Sequence, residues 1–330
     1  MNRFDMRLVS AADYYDALLL LLPKAKRRIV IHAMTVLWSQ ENEHFLPAIH
    51  AALARGVEVH IVGDIYSKFF ANAPKLVRTR NTPKWAHTRA INIKLESEGA
   101  HIHYVGKLGL NPFKGRTHSK VTIVDDTAFT FGGVNFCDSA FHNHDYMLEI
   151  KDGAFCDELQ NLVTGIAKAK QPLDNITKKL SGSATMLFDG GNPGNSAIYD
   201  KACEVVANAK KVYYVSQMCP SGKLAKLITS TDSQCYFIHA RQADTPDNLA
   251  LIFDRTRYSI DNLYKGKRYI HAKFILTEAH DGTKHVVSGS NNFSWRGIAF
   301  GTKEIAVHST DPAMWQVFYD YMQKEIIHES

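Results

Sequence analysis

Two stretches of the sequence place a histidine and a lysine two residues apart, just ahead of a run that is typical of a β-strand. The first is THSKVTIVDDTAFTFGGVNF (117–136) and the second is IHAKFILTEAHDGTKHVVSGSNNF (270–293). Each continues with a carboxylate, a hairpin signal and a turn of small residues that closes on Asn-Phe. The residues of the first copy are His118, Lys120, Asp125, Gly132, Gly133, Asn135 and Phe136, and those of the second are His271, Lys273, Glu278, Gly289, Ser290, Asn292 and Phe293. Because the arrangement occurs twice, it is poorly explained as ordinary surface chemistry.

The repeated residue types suit a phosphodiester site. Residues i and i+2 of a strand share a face, so the histidine and the lysine of each motif point the same way. If the two copies meet about a pseudo-twofold axis, one pocket receives two imidazoles, two ammonium groups and two amides, with Gly133 and Ser290 placed beside the substrate. The ammonium and amide groups can hold the non-bridging oxygens of a phosphate. One imidazole can attack phosphorus while the other protonates the departing oxygen, so we expect no metal or other cofactor.

Four carboxylates accompany the motifs and divide into two pairs. Asp125 lies five residues after Lys120, an odd spacing that turns it away from the lysine in a regular strand, so we predict that Asp125 and Glu278 are structural. Asp145 lies 27 residues after His118 and Glu304 lies 33 after His271, in similar places once the longer second hairpin is allowed for. A carboxylate on one ring nitrogen fixes the histidine tautomer and leaves the other nitrogen free to react. We therefore predict Asp145 and Glu304 as the groups that orient the histidines.

A second repeat lies outside the motifs and defines the architecture. YDALLLLLPKAKRRIVIHAM (15–34) aligns without gaps with YDKACEVVANAKKVYYVSQM (199–218), and each predicts a helix that runs into a strand. The stretch EHFLPAIHAALARGVEVHIVGD is typical of a βαβ unit. We predict an α/β fold of two pseudo-twofold-related α-β-α halves, each a mixed, mostly parallel sheet flanked by helices. The halves are residues 1–168 and 196–330, and residues 169–195 are a linker and loop.

Composition sets the broad class of protein. The 330 residues have room for two ordinary domains or one large one, and 45% of them are hydrophobic, as in folded soluble proteins. The net charge of +6 favours phosphate-bearing partners, although a merely basic enzyme fits equally well. Five cysteines without a Cys-x-x-Cys spacing indicate neither a zinc site nor a disulfide framework and favour a reducing, cytoplasmic compartment. The apolar run ALLLLLP is too short for a signal peptide or a transmembrane helix, so we expect any membrane contact to be peripheral.

With its two motifs, the sequence resembles the phospholipase D superfamily, whose His-x-Lys-x4-Asp signature stands here as HSKVTIVD and, with Glu for Asp, as HAKFILTE. The internal repeat and the Gly-Gly and Gly-Ser turns fit the same family, so the resemblance covers nearly the whole chain. It implies the phospholipase D fold and a covalent phosphohistidine intermediate, with transfer of the phosphoryl group to water or an alcohol. The signature does not choose among lipases, phosphatidyl transferases and nucleases, which share it.

The two motif histidines are similar but not identical in their surroundings. The first motif keeps the full Asp-containing signature and the shorter hairpin, whereas the second has Glu278 and four more residues in its hairpin. In the family that the sequence resembles, the first-motif histidine is often the attacking one. We therefore assign His118 as the nucleophile and His271 as the general acid.

The segment 66–94 is the part of the sequence that gives information about the class of substrate. It contains seven Lys or Arg residues and no Asp or Glu, and it is the best candidate for the extra length of the first half. Apolar residues among basic ones suit an anionic membrane surface and would equally suit single-stranded nucleic acid. We favour a phospholipid substrate with peripheral membrane contact, as in cardiolipin synthase-like chains, keep a nuclease as the alternative, and give least weight to a noncatalytic phosphate-binding protein. The substrate-contacting residues predicted in this segment are Phe69, Phe70, Trp85, Arg78, Arg80 and Lys84.

Phosphodiesterase activity should survive EDTA, because the constellation supplies imidazole, ammonium and amide groups and no cluster of metal ligands. Turnover of a soluble phosphodiester before and after chelation checks this expectation. A phosphate-like oxyanion such as vanadate should inhibit by binding between Lys120 and Lys273. Complete loss of activity with EDTA, restored by one divalent ion, would contradict a metal-free mechanism.

Overall fold

The structure is a computed structural model, which describes residues 4–70, 83–106, 115–239, 242 and 245–328. Two seven-stranded mixed sheets, one from each half of the chain, carry helices on their faces. None of the helices in these ranges is long and apolar enough to cross a bilayer.

The first sheet is built from the residues up to 151. Its strands are β1 (Arg7–Ser10), β2 (Arg28–Ala33), β3 (Glu58–Asp64), β4 (His101–Val105), β5 (Val121–Val124), β6 (Thr127–Thr130) and β7 (Tyr146–Lys151). They are ordered β1-β7-β6-β5-β2-β3-β4. The pairs β2–β3 and β3–β4 are parallel, and the other four pairs are antiparallel.

The second sheet repeats this plan. Its strands are β8 (Ile176–Lys179), β9 (Ala184–Gly190), β10 (Ala209–Val215), β11 (Asp232–Tyr236), β12 (Phe274–Ala279), β13 (Lys284–Gly289) and β14 (Lys303–Ser309). They are ordered β11-β10-β12-β13-β14-β9-β8, so β2, β5, β6 and β7 correspond to β10, β12, β13 and β14. The prediction of two related halves with mixed sheets is confirmed.

Two details of the predicted architecture are wrong. The sheets are mostly antiparallel, because only the strands joined through a crossover helix run parallel, and the tight hairpins of both motifs add antiparallel neighbours. The predicted linker 169–195 contains β8 and β9, which pair within the second sheet. Strand β9 is almost wholly buried. The sequence analysis missed it because loop-forming residues on both sides of it dominate the composition of residues 169–195.

The helices cover both sheets. Those of the first half are α1 (Ala11–Leu21), α2 (Leu46–Ala54), α3 (Ser67–Phe70), α4 (Pro83–Ser97), α5 (Asp138–Phe141) and α6 (Gly153–Lys168). Those of the second half are α7 (Ala197–Ala207), α8 (Gly222–Thr229), α9 (Thr245–Tyr258), α10 (Trp295–Phe300) and α11 (Pro312–Tyr321).

The repeated helix-strand units begin alike. The Ser10 hydroxyl accepts the Asp13 N–H at the start of α1, and the Ser196 hydroxyl accepts the Tyr199 N–H at the start of α7. These N-caps satisfy backbone donors that a helix leaves unpaired. As the repeat predicts, α1 leads into β2 and α7 leads into β10.

The core is continuous between the halves. Tyr146 of β7 packs edge-on against Phe274 of β12 and Phe318 of α11, with ring centroids 5.9 and 5.1 Å apart. Its hydroxyl lies 3.0 Å from the Lys273 carbonyl, to which it donates a hydrogen bond, and 2.7 Å from the Ser288 hydroxyl. The two halves are therefore packed as one body, and residues of both can meet at the interface.

Helix α4 buries one face against the first half of the fold, and Trp85 lies on that face, which corrects the prediction that Trp85 contacts a membrane or a nucleic acid. Trp85 is 7% exposed, packs edge-on against Tyr104 at 5.1 Å and lies under the Lys68 ammonium. On the same face, Thr88 and Asn92 accept hydrogen bonds from the main chain and the indole of Trp38. Positions 85, 88, 92 and 95 thus form one buried stripe.

The remaining predictions for segment 66–94 are only partly described. Lys84 is exposed, whereas the side chains of Phe69 and Phe70, and the whole of Arg78 and Arg80, lie outside the described residues. Strand β4 has no counterpart beside β11 in the described ranges, and it lies beyond residue 94. The extra length of the first half is therefore not confined to the predicted segment.

Replacing Trp85 by Ala should lower the free energy of unfolding by about 3–5 kcal/mol, because the substitution leaves a cavity beneath α4. Ile93→Ala is the matched control on the same helix, since Ile93 is 54% exposed. Its effect should stay within about 0.5 kcal/mol. Chemical denaturation of both variants measures the difference, and equal effects would contradict the assignment of Trp85 to the core.

Candidate active site

The two motifs meet because main-chain hydrogen bonds join each motif to the opposite half of the chain. The His118 N–H donates to the Lys303 carbonyl at 2.8 Å, and the Lys303 N–H donates to the Arg116 carbonyl at 3.0 Å. In the same way, the His271 N–H donates to the His144 carbonyl at 2.9 Å. Each motif is thereby attached to the start of a strand from the opposite half. The residue that follows Lys303 is Glu304, and the residue that follows His144 is Asp145.

The predicted carboxylates do orient the histidines, but they do so across the halves. His118 Nδ1 lies 3.1 Å from the Glu304 carboxylate, and His271 Nδ1 lies 2.7 Å from Asp145 Oδ2. A carboxylate accepts a hydrogen bond, so Nδ1 carries the proton and Nε2 carries the lone pair. The arrangement leaves each imidazole with one nitrogen held and the other available for reaction.

The two motif lysines lie beneath the histidines and are buried. Lys120 Nζ donates to the His118 carbonyl at 2.6 Å, and Lys273 Nζ donates to the His271 carbonyl. Burial lowers the pKa of Lys120, and the nearby Lys273 ammonium lowers it further. Burial also lowers the pKa of Lys273, against the opposing effect of Asp145 and Glu304. Two cations held this close repel each other until an anion lies between them.

Burial keeps both histidines neutral. It lowers the pKa of His118 well below its usual value, and Lys120 and Lys273 lower it further. Burial and then Lys273 lower the pKa of His271 to about 3, although the Asp145 carboxylate opposes the change. A neutral imidazole has the lone pair that a nucleophile requires.

The two orienting carboxylates are held by different donors. Asp145 Oδ1 accepts the main-chain N–H groups of Gly133 at 3.2 Å and of Tyr146 at 2.9 Å. Glu304 instead accepts the hydroxyl of Ser290. Burial raises the pKa of Glu304, although Lys120 and the Ser290 hydrogen bond lower it in part. The two halves of the site are therefore related in geometry but differ in electrostatics.

Gly133 and Ser290, which the sequence analysis predicts as substrate contacts, support these carboxylates. Ser290 is completely buried. Its hydroxyl donates to the Glu304 carboxylate and accepts the Ile305 N–H at 3.0 Å. A Cβ at Gly133 would lie 2.6 Å from Asp145 Oδ1 and 2.7 Å from the His271 carbonyl oxygen. Only glycine fits there without displacing the His271–Asp145 pair.

The two motif asparagines also differ, because the side-chain oxygen of one has a hydrogen-bond partner and that of the other has none among the described residues. Asn135 Oδ1 accepts the main-chain N–H of Thr35 at 3.2 Å, so its amide orientation is fixed and its NH₂ group remains the donor end. Asn292 Oδ1 is buried and has no hydrogen-bond partner among the described residues. Tyr214 donates to the main-chain carbonyl of Asn292 at 3.2 Å, which places its backbone.

The motif acids are structural, as the strand spacing predicts. Asp125 lies in the turn between β5 and β6 with φ +52°, and its carboxylate accepts the main-chain N–H groups of Lys26, Arg27 and Arg28. Glu278 lies at the far end of β12, 3.9 Å from Lys210 Nζ. Neither carboxylate contacts the histidines.

Sequence reasoning missed an ion pair beside His118. Asp64, at the end of β3, is buried and pairs with Arg116 Nε at 2.5 Å. The Arg116 guanidinium lies over the Tyr66 ring, 4.5 Å from its centroid, and its charge is one of the causes that lower the pKa of His118. The cation two residues before the motif is the only signal of this pair in the sequence.

His32 is a second missed residue, and it supports the backbone around His118. Its Nδ1–H donates to the Val62 carbonyl at 3.0 Å, so Nε2 accepts from the hydroxyls of Thr117 and Ser119 at 3.1 and 3.0 Å. Burial lowers the pKa of His32 to about 4, which favours this neutral form. The residues on both sides of His118 are thus anchored to β2.

Within the described residues, no group of three or more His, Cys, Asp or Glu side chains is arranged to hold a metal ion. The groups that converge on the site are imidazoles, carboxylates and ammonium groups. Two ammonium groups beside two imidazoles are chemically suited to an anion with several oxygens, such as a phosphate.

Comparisons with known proteins fit this geometry. Residues 18–166 match the family model described as cardiolipin synthase, PLD-like domain. Phosphatidylserine synthase of Haemophilus influenzae Rd KW20 has a similar structure, with a TM-score of 0.70, 13% identity and coverage of 98% of this chain and 86% of that one. Polyphosphate kinase from Porphyromonas gingivalis has a TM-score of 0.61, 14% identity and coverage of 96% of this chain and 46% of that one. No curated protein matches the chain in sequence.

Gly133→Ala should lower kcat for a soluble phosphodiester by about 100-fold, because the added methyl group displaces Asp145 and with it the His271 ring. Gly165→Ala on α6 is the control, since a Cβ at Gly165 meets no atom within 4 Å. Steady-state kinetics on both variants, with thermal melting to verify folding, gives the comparison. A folded Gly133→Ala protein with an unchanged kcat would show that the Asp145–His271 geometry does not limit the rate.

Proposed function

We propose that the chain is a member of the phospholipase D superfamily, which the family-model match and the shared fold support, and that it cleaves the phosphodiester of a phospholipid and transfers the phosphatidyl group to water or an alcohol. The observation that carries the proposal is the pair of histidine–carboxylate contacts, His118–Glu304 and His271–Asp145, formed across the halves over two buried lysines. This arrangement provides a nucleophile, a general acid and a phosphate clamp in one place.

In the first step, His118 Nε2 attacks phosphorus. The new P–N bond forms as the P–O bond to the leaving alcohol breaks, and His271 Nε2 gives its proton to the departing oxygen. In the second step, the acceptor oxygen attacks phosphorus and gives its proton back to His271. The P–N bond breaks, the new P–O bond remains, and both histidines return to their starting forms.

The lysines connect substrate binding to protonation. Their charges stabilise the non-bridging oxygens as phosphorus becomes five-coordinate, and the amide groups of Asn135 and Asn292 are the further donors of the motif. In the empty site, burial and the lysine charges depress the pKa of His271. The negative charge of a bound diester offsets the lysines and raises that pKa, so His271 takes up the proton that the leaving group needs.

The electrostatics support His271 as the acid and His118 as the nucleophile. A histidine that acts as a general acid must carry a positive charge, which a neighbouring anion stabilises. Two main-chain N–H donors hold Asp145, and its charge raises the pKa of His271. Glu304 lacks such main-chain donors among the described residues, and burial raises its own pKa, so it stabilises an imidazolium less well.

Two of the three matches name phospholipid synthases, which supports a phospholipid substrate, whereas the third is a polyphosphate kinase. A nuclease remains the alternative, because a nucleic-acid strand carries the same reacting group. Anionic phospholipids with glycerol, offered in parallel with single- and double-stranded DNA and analysed by product mass, separate the two. Cleavage of DNA alone would overturn the lipid assignment while leaving the two-histidine chemistry intact.

The two histidine variants should differ in their dependence on the leaving group. His271→Ala should lose most activity on an alkyl phosphodiester but keep much of it on a nitrophenyl diester, whose phenolate departs without a proton. His118→Ala should be inactive on both, because no leaving group replaces a missing nucleophile. Turnover of both substrates by both variants tests the assignment. Exchanged behaviour would reverse the roles, and nitrophenyl activity in both variants would exclude a phosphohistidine intermediate.

A further inference from the structure

Helix α9 carries its apolar side chains on the outside. Leu249, Ile252 and Phe253 are 50–66% exposed and, at i, i+3 and i+4, they share one face. The opposite face buries Leu251 together with the charged Asp254, which pairs with Arg296 of α10. A surface helix normally shows the reverse arrangement. This face therefore has apolar area that the fold itself does not use.

Two arginines flank the apolar stripe. At about 100° per residue, Arg255 and Arg257 fall on opposite sides of it. Both are exposed, and the Arg257 guanidinium lies 5.7 Å from the Phe253 ring centroid and 5.5 Å from that of Tyr258. The helix thus combines an apolar wedge with cations on both margins.

Helix α10 contacts α9 through Arg296 and carries two more exposed aromatic side chains. Trp295 and Phe300 are 45% and 40% exposed. Arg296 ties the two helices together, because it also donates to the Ala250 carbonyl at 3.3 Å. Helix α10 begins three residues after Asn292 and ends four residues before Glu304. We call the surface formed by Leu249, Ile252, Phe253, Arg255, Arg257, Trp295 and Phe300 the α9–α10 face.

We propose that the α9–α10 face docks the protein on an anionic phospholipid bilayer, an inference that rests on the proposed phospholipid substrate. An apolar helical stripe enters the boundary between headgroups and acyl chains, while flanking arginines bind anionic headgroups. Tryptophan is enriched at that boundary. Docking here places the membrane contact on the second half of the chain, on α9 and on the helix that follows Asn292.

Other occupants fit the α9–α10 face less well. Single-stranded nucleic acid needs flat rings for base stacking, and the stripe on α9 contains the aliphatic Leu249 and Ile252. A second copy of the chain in a twofold contact would bring the arginines of both copies onto the same patch, where like charges repel. An anionic bilayer matches both the apolar stripe and its cationic margins.

Trp295 offers a direct test. The sequence contains four tryptophans, and the other three, Trp38, Trp85 and Trp315, are buried. Vesicles of phosphatidylglycerol and phosphatidylcholine in equal amounts should shift the emission of the wild-type protein to the blue and carry the protein up in flotation. Vesicles of phosphatidylcholine alone should do so much less. Trp295→Phe should remove most of the emission shift and leave most of the flotation.

Two variants and a matched control locate the contact. Leu249→Ser/Ile252→Ser/Phe253→Ser and, separately, Arg255→Gln/Arg257→Gln should each lower partitioning to the anionic vesicles by about tenfold or more. Leu20→Ser/Ile93→Ser is the control, because these two leucine and isoleucine side chains are 64% and 54% exposed in the first half. It should bind vesicles like the wild-type protein.

The inference is wrong if the wild-type protein does not partition, if either variant partitions like the control, or if the triple substitution only converts a dimer to a monomer in sedimentation. It is also wrong if the arginine substitutions weaken oligonucleotide binding and leave vesicle binding unchanged. Partitioning to vesicles is measured without substrate turnover, so the docking surface and the proposed function are tested separately. A protein that binds vesicles but cleaves no diester contradicts the proposed function alone, and one that cleaves soluble diesters but binds no vesicle contradicts the docking surface alone.

Discussion

The exchange of carboxylates between the halves is the interaction on which the site depends. Glu304 reaches His118 and Asp145 reaches His271 because the main chain just before each carboxylate pairs with the opposite motif. The same contact fixes the imidazole tautomers, brings the two buried lysines together and closes the interface between the sheets. Neither half can orient its own histidine in this arrangement, so packing of the halves and assembly of the site are one event.

The chemistry was easier to predict from the sequence than the geometry. The His-x-Lys spacing, the matched carboxylates and the structural role of Asp125 follow from local strand parity, which the sequence carries directly. The pairing of each histidine with a carboxylate of the opposite half does not follow from strand parity. It arises from main-chain contacts of residues 116–118 with residue 303 and of residue 144 with residues near 270, and these contacts leave no local sequence pattern. Arg116 and His32 were missed for the same reason, since their partners lie far from them in the sequence.

Errors about the fold have equally specific causes. In α4, two of the four buried positions are Thr88 and Asn92, whose hydrogen bonds to Trp38 replace apolar packing, so the helical period is hidden and the basic residues dominate the composition. Strand β9 is hidden by the turn residues on both sides of it.

The continuity of the two halves in one chain has a consequence for how the site can change over time. An assembly of two identical subunits around a twofold axis must apply every substitution to both members of each pair. Here a single substitution alters one side alone, and Gly133 opposite Ser290, Asp145 opposite Glu304, and an anchored Asn135 opposite Asn292 are differences of this kind. Covalent fusion thus permits the two histidine–carboxylate pairs to differ in their surroundings, while the framework that carries them stays symmetric.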